Sequence, residues 1–274
     1  MSLEKVPKRN NKKSKENENT PLSTSSSGTP KWRQSPIDLN SINTWTKKYS
    51  PLLLNGYWLN EGIATLTNTG RTVKIELEDR KLPLMTGGPL KDQDYQFMNI
   101  QFRWGAENCC GAEHSIDNHW YSMEVQILHW NTQYGSIEKC YDKSDGMAIL
   151  SYLIQVVGCP GIPDNPMFAK ITQHLPRIKK MGSSVNIGPD CLRWMMEACS
   201  EPGYYTYLGS LTTPPYHECV VWIVIPRPIK ISARQIDAFR NIYDKKWEPI
   251  VRNYRCQQNL RRRRVLYASN SAVA

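Results

Sequence analysis

Two segments decide the fold of this chain: residues 123–131, which read MEVQILHWN, and residues 95–104, which read YQFMNIQFRW. Both alternate apolar and polar side chains, and a period of two is typical of β-strands. Because successive side chains on a strand point to opposite faces, one face carries Glu124, Gln126 and Leu128 in the first segment and Asn99, Gln101 and Arg103 in the second. Polar side chains on interior strands cost free energy unless they meet partners. The pattern predicts a pocket or a buried polar network there.

The opposite faces of these two segments are apolar. They carry Val125 and Ile127 in the first segment, and Met98, Ile100, Phe102 and Trp104 in the second. Residues 73–77 alternate in the same way, and residues 219–225 are almost wholly apolar, as in a buried central strand. Residues 147–157 form a similar apolar run, for which helix and strand both stay open.

Two short helices are predicted outside the sheet. Ser232 and Gln235 have the spacing of a capping box, and apolar residues then recur at helical intervals as far as Tyr243. Residues 166–177 also carry apolar residues at helical spacing. The fold class is therefore mainly β, in the α+β sense, with one large sheet and a few short peripheral helices.

The 274 residues divide into three parts by composition. Residues 1–31 are polar and rich in lysine, asparagine and serine, which predicts a disordered basic tail. We expect one folded domain over residues 32–267 and a short C-terminal tail over residues 268–274.

The formal net charge of +10 is concentrated near the two ends. Residues 1–31 carry seven basic and three acidic side chains, residues 252–264 carry six arginines and no acid, and the remaining body is balanced. Basic ends on a neutral body favour solvated tails. A weak contact with a polyanion is the alternative, through Arg261, Arg262, Arg263 and Arg264.

The sequence shows no run of about 18 apolar residues, so we expect no transmembrane helix. No apolar segment follows the N-terminal charges, which favours a cytoplasmic protein. We therefore expect the eight cysteines to be reduced thiols, with Cys219 as a small core residue. Secretion, with disulfides, stays the alternative. No CxxC pair occurs, which argues against a zinc ribbon.

Several motifs resemble those of the α-carbonic anhydrases, in order from about Trp32 to about Leu266. They are Gln34-Ser-Pro-Ile37, Gly111-Ala-Glu-His114, Glu124-Val-Gln-Ile-Leu-His-Trp-Asn131, Gly209-Ser-Leu-Thr-Thr-Pro-Pro215 and Cys219-Val-Val-Trp222. The resemblance implies a single domain around a mostly antiparallel twisted sheet of about ten strands. It also implies a zinc ion on three histidines, two from an H-x-H pair on one strand and one from a neighbouring strand. Such a zinc ion keeps an open position, where it lowers the pKa of a bound water to about 7.

The resemblance places the three ligand positions at Gln101, Arg103 and Gln126, and none of them is histidine. An amide is a feeble zinc ligand, and a guanidinium has no free lone pair to offer. His129 matches a structural histidine of the family instead and falls on the opposite face from Gln126. We therefore expect no zinc cofactor.

Further positions match the family's site. Arg71 matches the proton-shuttle histidine, and an arginine stays protonated near neutral pH. Glu113 and Thr212 match the pair that orients the zinc-bound hydroxide, and Glu124 and Asn99 match positions behind the ligands. The apolar pocket wall is matched by Leu128, Ile149, Leu211, Val220 and Trp222, which are core residues by default.

The resemblance therefore points to the carbonic anhydrase-related members of the family, which keep the fold, lack activity and act through protein partners. We expect a non-catalytic, monomeric protein with an unidentified protein partner. The alternative is residual carbonic anhydrase activity through an altered zinc site. We also expect Arg103 to replace the charge of the metal, with Glu124 or Glu113 as its carboxylate partner. The alternative for Arg103 is a side chain that reaches into water.

Overall fold

The computed structural model describes residues 31–157, 162–196 and 203–269. A compact unit begins at Trp32, where the sequence predicts the folded domain to begin. The predicted N-terminal tail, apart from its last residue, lies outside the described residues, as do residues 270–274, Cys159 and Cys199.

Fourteen strands occur in the described part of the chain. They are β1 (Asp38–Leu39), β2 (Trp45–Lys47), β3 (Leu52–Asn55), β4 (Ile63–Asn68), β5 (Val73–Glu78), β6 (Leu84–Gly87), β7 (Tyr95–Trp104), β8 (Ser115–Ile116), β9 (Met123–Asn131), β10 (Met147–Val156), β11 (Ser184–Ile187), β12 (Tyr204–Gly209), β13 (Val220–Ile231) and β14 (Leu266–Ala268). The apolar run from Met147 is thus a strand, and β14 continues one residue into the segment predicted as a C-terminal tail.

Twelve of these strands form one sheet. Ten follow each other in the order β11-β4-β5-β7-β9-β10-β13-β12-β14-β2, and β6 pairs with both β7 and β3. The pairing is antiparallel except between β10 and β13 and between β14 and β2. The small second sheet is the parallel pair of β1 and β8. The predicted fold class is confirmed, with twelve strands in place of about ten.

Three α-helices outside the sheet are described from end to end: α1 (Ile137–Cys140), α2 (Pro166–Thr172) and α3 (Ala233–Arg240). Ser232 and Gln235 form the predicted capping box at the start of α3. The helix predicted over residues 166–177 ends at Thr172, and a 3₁₀ turn follows over Leu175–Ile178. Pro176 lies in that turn, and a proline is poorly tolerated inside an α-helix because it lacks an N–H.

The central strands bury an apolar cluster on each face. One cluster contains Ile100, Phe102, Ile127 and other residues that point away from the polar positions. The second cluster contains Leu128, Ile149 and Trp222, on the same face as the polar positions. The two clusters hold the central strands in place, because buried apolar area is the main favourable term in folding.

Met98 corrects the predicted alternation in β7. The sequence groups it with Ile100, but Met98 packs against the second cluster. The pairing of β7 with β9 shifts register between Phe97 and Asn99, so one residue is inserted into the ladder and the alternation is reset. The bulge leaves Asn99, Gln101 and Arg103 on the predicted face.

Candidate functional site

The antiparallel register of β7 and β9 brings the three predicted ligand positions together. Gln101 pairs directly with Gln126, and Arg103 pairs with Glu124. Residues that face each other across antiparallel strands have their Cβ atoms about 5 Å apart. The strands therefore gather Gln101, Arg103, Gln126 and Glu124 on one face at the centre of the sheet.

Arg103 forms a buried ion pair with Glu113. The distance from Arg103 Nε to Glu113 Oε1 is 3.4 Å, and the two side chains are 5% and 1% exposed. Arg103 Nη2 also donates to Gln101 Oε1 at 2.9 Å. The prediction of a carboxylate partner for Arg103 is confirmed with Glu113, and the side chain does not reach into open water.

Gln126 connects the two carboxylates of the site. Its Nε2 donates to Glu113 Oε2 at 2.6 Å and to Glu124 Oε1 at 3.0 Å. A glutamine amide nitrogen carries two protons, so both are used by these bonds. The side-chain nitrogen of Gln126 is thus held between the carboxylates of Glu113 and Glu124 as a hydrogen-bond donor to both.

Glu124 is fully buried and accepts hydrogen bonds at both oxygens. Its Oε2 accepts from the backbone N–H groups of Glu113 and His114 at 2.9 and 2.8 Å. Its Oε1 accepts from Ser151 Oγ at 2.8 Å and lies 3.0 Å from His114 Nδ1. Burial alone raises the pKa of Glu124, but His114 and the donated hydrogen bonds outweigh it and lower the pKa below its ordinary value.

His114 continues this network beyond the acids. Its Nε2 lies 2.7 Å from the hydroxyl of Tyr207, which in turn lies 3.0 Å from Ser35 Oγ. The sequence places His114 in a family motif but assigns it no role. The partners Ser151 and Tyr207 also carry no signal in the sequence, because each reaches the site from another strand.

Arg255 is a further residue that the sequence reasoning missed. Its backbone N–H donates to Glu113 Oε1 at 2.9 Å, so this oxygen faces both Arg255 and Arg103. Its guanidinium lies 3.8 Å above the ring of Tyr216, and Nη1 donates to Gln34 Oε1 and to the carbonyl of Ser35. Arg255 belongs to the run predicted as a solvated tail, and that prediction is wrong at this residue.

An open cleft of about 670 Å³ lies above this network. Gln101, Arg103, Thr212 and the exposed Arg71 line it, as the resemblance predicts for residues of the site. No hydrogen bond between Glu113 and Thr212 occurs among the described residues, and the carboxylate of Glu113 contacts Arg103, Gln126 and the backbone N–H of Arg255. Asn99 Oδ1 accepts from Gln101 Nε2 at 3.2 Å, which fits a position behind Gln101.

The predicted apolar pocket wall does not line this cleft. Four of its residues, Leu128, Ile149, Val220 and Trp222, are buried in the second apolar cluster, and Leu211 packs against that cluster. These residues are therefore core residues, as their apolar character alone predicts. They pack against each other because β9, β10 and β13 bring them side by side on one face.

His129 lies on the other face of β9. It is completely buried, its ring nitrogens contact the hydroxyl of Tyr57 and the carbonyl of Ala148, and burial lowers its pKa to about 3. This confirms the prediction that His129 is a core residue pointing away from Gln126.

The four arginines from Arg261 to Arg264 differ in their contacts with the rest of the fold. Arg263 donates to the carbonyls of Gln34 and Leu260 at 2.6 and 3.0 Å and lies 5.5 Å from the Tyr207 ring. Arg261 and Arg264 each lie 5.1 Å from an exposed tryptophan ring, and Arg262 is exposed. The interpretation of the run as a solvated tail is wrong for Arg263, which is tied into the fold.

The donor set at the three positions that the resemblance assigns to zinc ligands does not fit zinc. Zinc sites in proteins use imidazole, thiolate or carboxylate donors. Here the guanidinium of Arg103 offers no lone pair, Gln126 uses its amide protons on two acids, and Gln101 Oε1 already accepts from Arg103. Over residues 31–157, 162–196 and 203–269, no group of three or more histidine, cysteine, aspartate or glutamate side chains is placed to hold a metal ion.

The six described cysteines, Cys109, Cys110, Cys140, Cys191, Cys219 and Cys256, are free thiols. Cys219 is completely buried beside the start of β13, as predicted for a core residue. No helix of the described chain is both long and apolar enough to span a membrane.

Comparison with known proteins gives a family match over residues 20–269, to the model described as eukaryotic-type carbonic anhydrase. Carbonic anhydrase 3 of Bos taurus is 32% identical over 246 residues, which cover 84% of this chain and 87% of the relative. Carbonic anhydrase 6 of Bos taurus is 33% identical over 242 residues, which cover 84% of this chain and 71% of the relative. Carbonic anhydrase 3 of Sus scrofa is 30% identical over 246 residues, with the same coverage as the first relative.

Proposed function

The chain belongs to the eukaryotic-type carbonic anhydrase family, and from that premise we propose that it is a non-catalytic member that holds no zinc and acts by binding a protein partner. The proposal has two parts. The first concerns the chemistry that the site has lost, and the second concerns what the retained fold does.

The observation that carries the first part is the buried ion pair between Arg103 and Glu113. It puts a permanent positive charge beside the position where the family resemblance expects the metal. A dication there would be repelled by the guanidinium, and in a protein interior such repulsion between charges a few ångströms apart amounts to several kcal/mol. The polar atoms around the position also already bond to each other, so a metal would have to break that network.

Without a metal, the site has no group that activates water for attack on carbon dioxide. Arg71 does not relay protons near neutral pH, because its guanidinium stays charged. Glu113 contacts Arg103, Gln126 and the backbone N–H of Arg255, and these contacts hold it in the polar network. The residues that remain stabilise the fold, and we assign them no catalytic step.

The second part rests on the resemblance to the carbonic anhydrase-related proteins and on the exposed aromatic residues. Trp32, Trp45 and Trp247 are each more than half exposed. Large aromatic side chains are enriched in protein interfaces, where their burial supplies much of the binding energy. We propose a monomer that offers such residues to an unidentified protein, with Arg261, Arg262 and Arg264 as a weaker contact for polyanions. The six described cysteines are free thiols, which supports the proposal of a reducing compartment.

The test of the first part is a measurement of carbon dioxide hydration with and without a sulfonamide inhibitor, on protein saturated with zinc. The proposal expects a rate no higher than that of heat-denatured protein at the same concentration. The variant with Gln101→His, Arg103→His and Gln126→His is the matched control, because it restores the expected donors on the same scaffold. Sulfonamide-sensitive hydration by the unchanged chain would support the alternative of residual activity through an altered zinc site.

The test of the second part is a reciprocal pull-down with the full chain. Trp45→Ala is the test variant, since Trp45 is 61% exposed and its removal leaves the core intact, and the unchanged chain is the control. The proposal is supported by a partner that each protein recovers when it serves as bait, in a near-stoichiometric amount. Binding of that partner should be lost or weakened in an exposed-tryptophan variant. Recovery of general chaperones alone, equal for both chains, contradicts it.

A further inference from the structure

The cleft above the polar network has an unusual charge. Five cationic side chains line it, namely Arg71, Lys74, Arg103, Arg252 and Arg255, against two carboxylates, Asp244 and Glu248. Arg71, Lys74 and Arg103 come from the body of the chain, which is balanced in charge over residues 32–251, and Arg252 and Arg255 come from the basic segment 252–264. A concave surface lined by one sign of charge focuses the field and concentrates ions of the opposite sign.

The described carboxylates leave three of these arginines without an ion pair. Arg103 is paired with Glu113, and Lys74 is paired with Glu76 at 2.8 Å. No described acid forms an ion pair with Arg71, Arg252 or Arg255. Asp244 Oδ1 accepts from the backbone N–H groups of Lys246 and Glu248 at 2.8 and 3.0 Å, so this oxygen is held within its own turn.

The segment that carries Arg252 and Arg255 is held firmly in place. Between them, Asn253 donates to the carbonyls of Arg71 and Phe102 and accepts from the N–H of Trp104 at 2.8 Å. Two residues further, the N–H of Arg255 bonds to Glu113. The backbone of Arg71 and the segment from Arg252 to Arg255 are therefore tied to the same strand ends.

The guanidinium of Arg255 is also positioned before any ligand arrives. It is stacked on Tyr216 and held through Nη1, and these contacts leave Nε and Nη2 without an acceptor among the described residues. Guanidinium groups with free N–H groups bind carboxylate and phosphate oxygens in a bidentate manner. A side chain that is fixed in advance loses little entropy on binding.

We infer that this cleft is a binding site for a small oxyanion with at least two negative charges, held by Arg71, Arg252 and Arg255 without a metal. The shared chemistry is that of a polycarboxylate or a phosphate. The inference deepens the proposed function and rests on it in one respect, namely that no zinc competes for the anion.

Isothermal titration calorimetry of the full chain tests the inference, with inorganic phosphate and citrate as separate titrants. Zinc is first removed with a chelator, the chelator is then removed by dialysis, and the zinc content is measured on the same sample, so a failure of the zinc-free proposal is seen separately. Sodium chloride holds the ionic strength constant. We expect saturable binding of at least one titrant, and the titrant that binds identifies the ligand as phosphate, polycarboxylate or either.

Two exposed arginines give variants that keep the fold. Arg71→Gln and Arg252→Gln should each weaken binding by about tenfold or more, because each removes a hydrogen bond to a charged group. Arg193→Gln is the matched control, since Arg193 is exposed and does not line the cleft. The inference is overturned if neither titrant binds saturably, or if Arg193→Gln weakens binding as much as the two cleft variants.

Discussion

The two faces of β9 treat polar side chains in opposite ways. On one face, Glu124 and Gln126 join a network in which charges meet partners and Glu124 keeps a pKa below its ordinary value. On the other face, His129 is surrounded by the apolar cluster and burial lowers its pKa to about 3, so that it stays neutral. The difference shows that the partners present on each face of β9 decide whether its buried ionisable side chain is charged or neutral.

Arg103→Ala should cause the largest loss, because it leaves Glu113 buried without its counter-charge. We expect a decrease of about 3–5 kcal/mol in the free energy of unfolding, as for removal of one partner from a buried ion pair. Urea denaturation at pH 7 measures it. Lys74→Ala is the control from the neighbouring strand β5: its partly exposed ion pair with Glu76 should contribute at most about 1 kcal/mol. A loss below about 0.5 kcal/mol for Arg103→Ala, typical of a surface change, would contradict the account.

Glu124→Gln should cost about 2–3 kcal/mol at pH 7, the range of a lost hydrogen bond to a charged group. Because the folded pKa of Glu124 lies below its ordinary value of about 4.3, the charged form stabilises the fold above that pH. This stabilisation is lost as the pH falls toward the folded pKa. The unchanged chain should therefore lose more stability than Glu124→Gln between about pH 5 and pH 3. Equal acid sensitivity of the two chains would argue against a charged Glu124.

His129→Phe should cost about 1–2 kcal/mol at pH 7, since it removes hydrogen bonds to Tyr57 and Ala148. The folded pKa of His129 lies below its unfolded value, so the unfolded chain takes up a proton first as the pH falls. In the unchanged chain this uptake lowers stability by up to about 1.4 kcal/mol for each pH unit below about 6.5. The variant should lack this part of the pH dependence, whereas His119→Gln, at an exposed position, should keep it. If the free energy of unfolding of both variants has the same pH dependence below about pH 6.5, a neutral buried His129 is contradicted.

The smallest expected difference in stability is between variants of two neighbouring arginines, the half-buried Arg263 and the exposed Arg262. Arg263→Ala should cost about 1–2 kcal/mol, because it removes packing on Tyr207 and the hydrogen bonds to four backbone carbonyls. Arg262→Ala should stay within about 0.5 kcal/mol. Thermal unfolding of the two variants side by side measures the difference, and equal effects would restore the interpretation of the whole run as a solvated tail.

The sequence predicts the local part of this structure well. The alternation in residues 95–104 and 123–131 places Gln101, Arg103, Glu124 and Gln126 on one face, because alternation is a property of each strand alone. The capping box at Ser232 is found for the same reason. The bulge near Met98 is not found, since a register shift depends on how two strands pair.

The parts of the site that depend on long-range contacts are predicted less well. The sequence allows Glu113 and Glu124 equally as partners of Arg103, and only the packing of residues 111–114 against β9 selects Glu113. Arg255 reaches Glu113 from 142 positions away, and nothing in its local sequence distinguishes it from a solvated arginine. The residues of the expected pocket wall have the right identity but are packed as core.

The most direct test of the central claim is the zinc content of the full chain after equilibration with excess zinc and removal of the unbound metal. Elemental analysis gives moles of zinc per mole of chain, and the variant with histidine at positions 101, 103 and 126 serves as the control. We expect far less than one zinc per unchanged chain and a clearly higher zinc content for the control variant. One tightly held zinc per unchanged chain would contradict the replacement of the metal by the ion pair between Arg103 and Glu113.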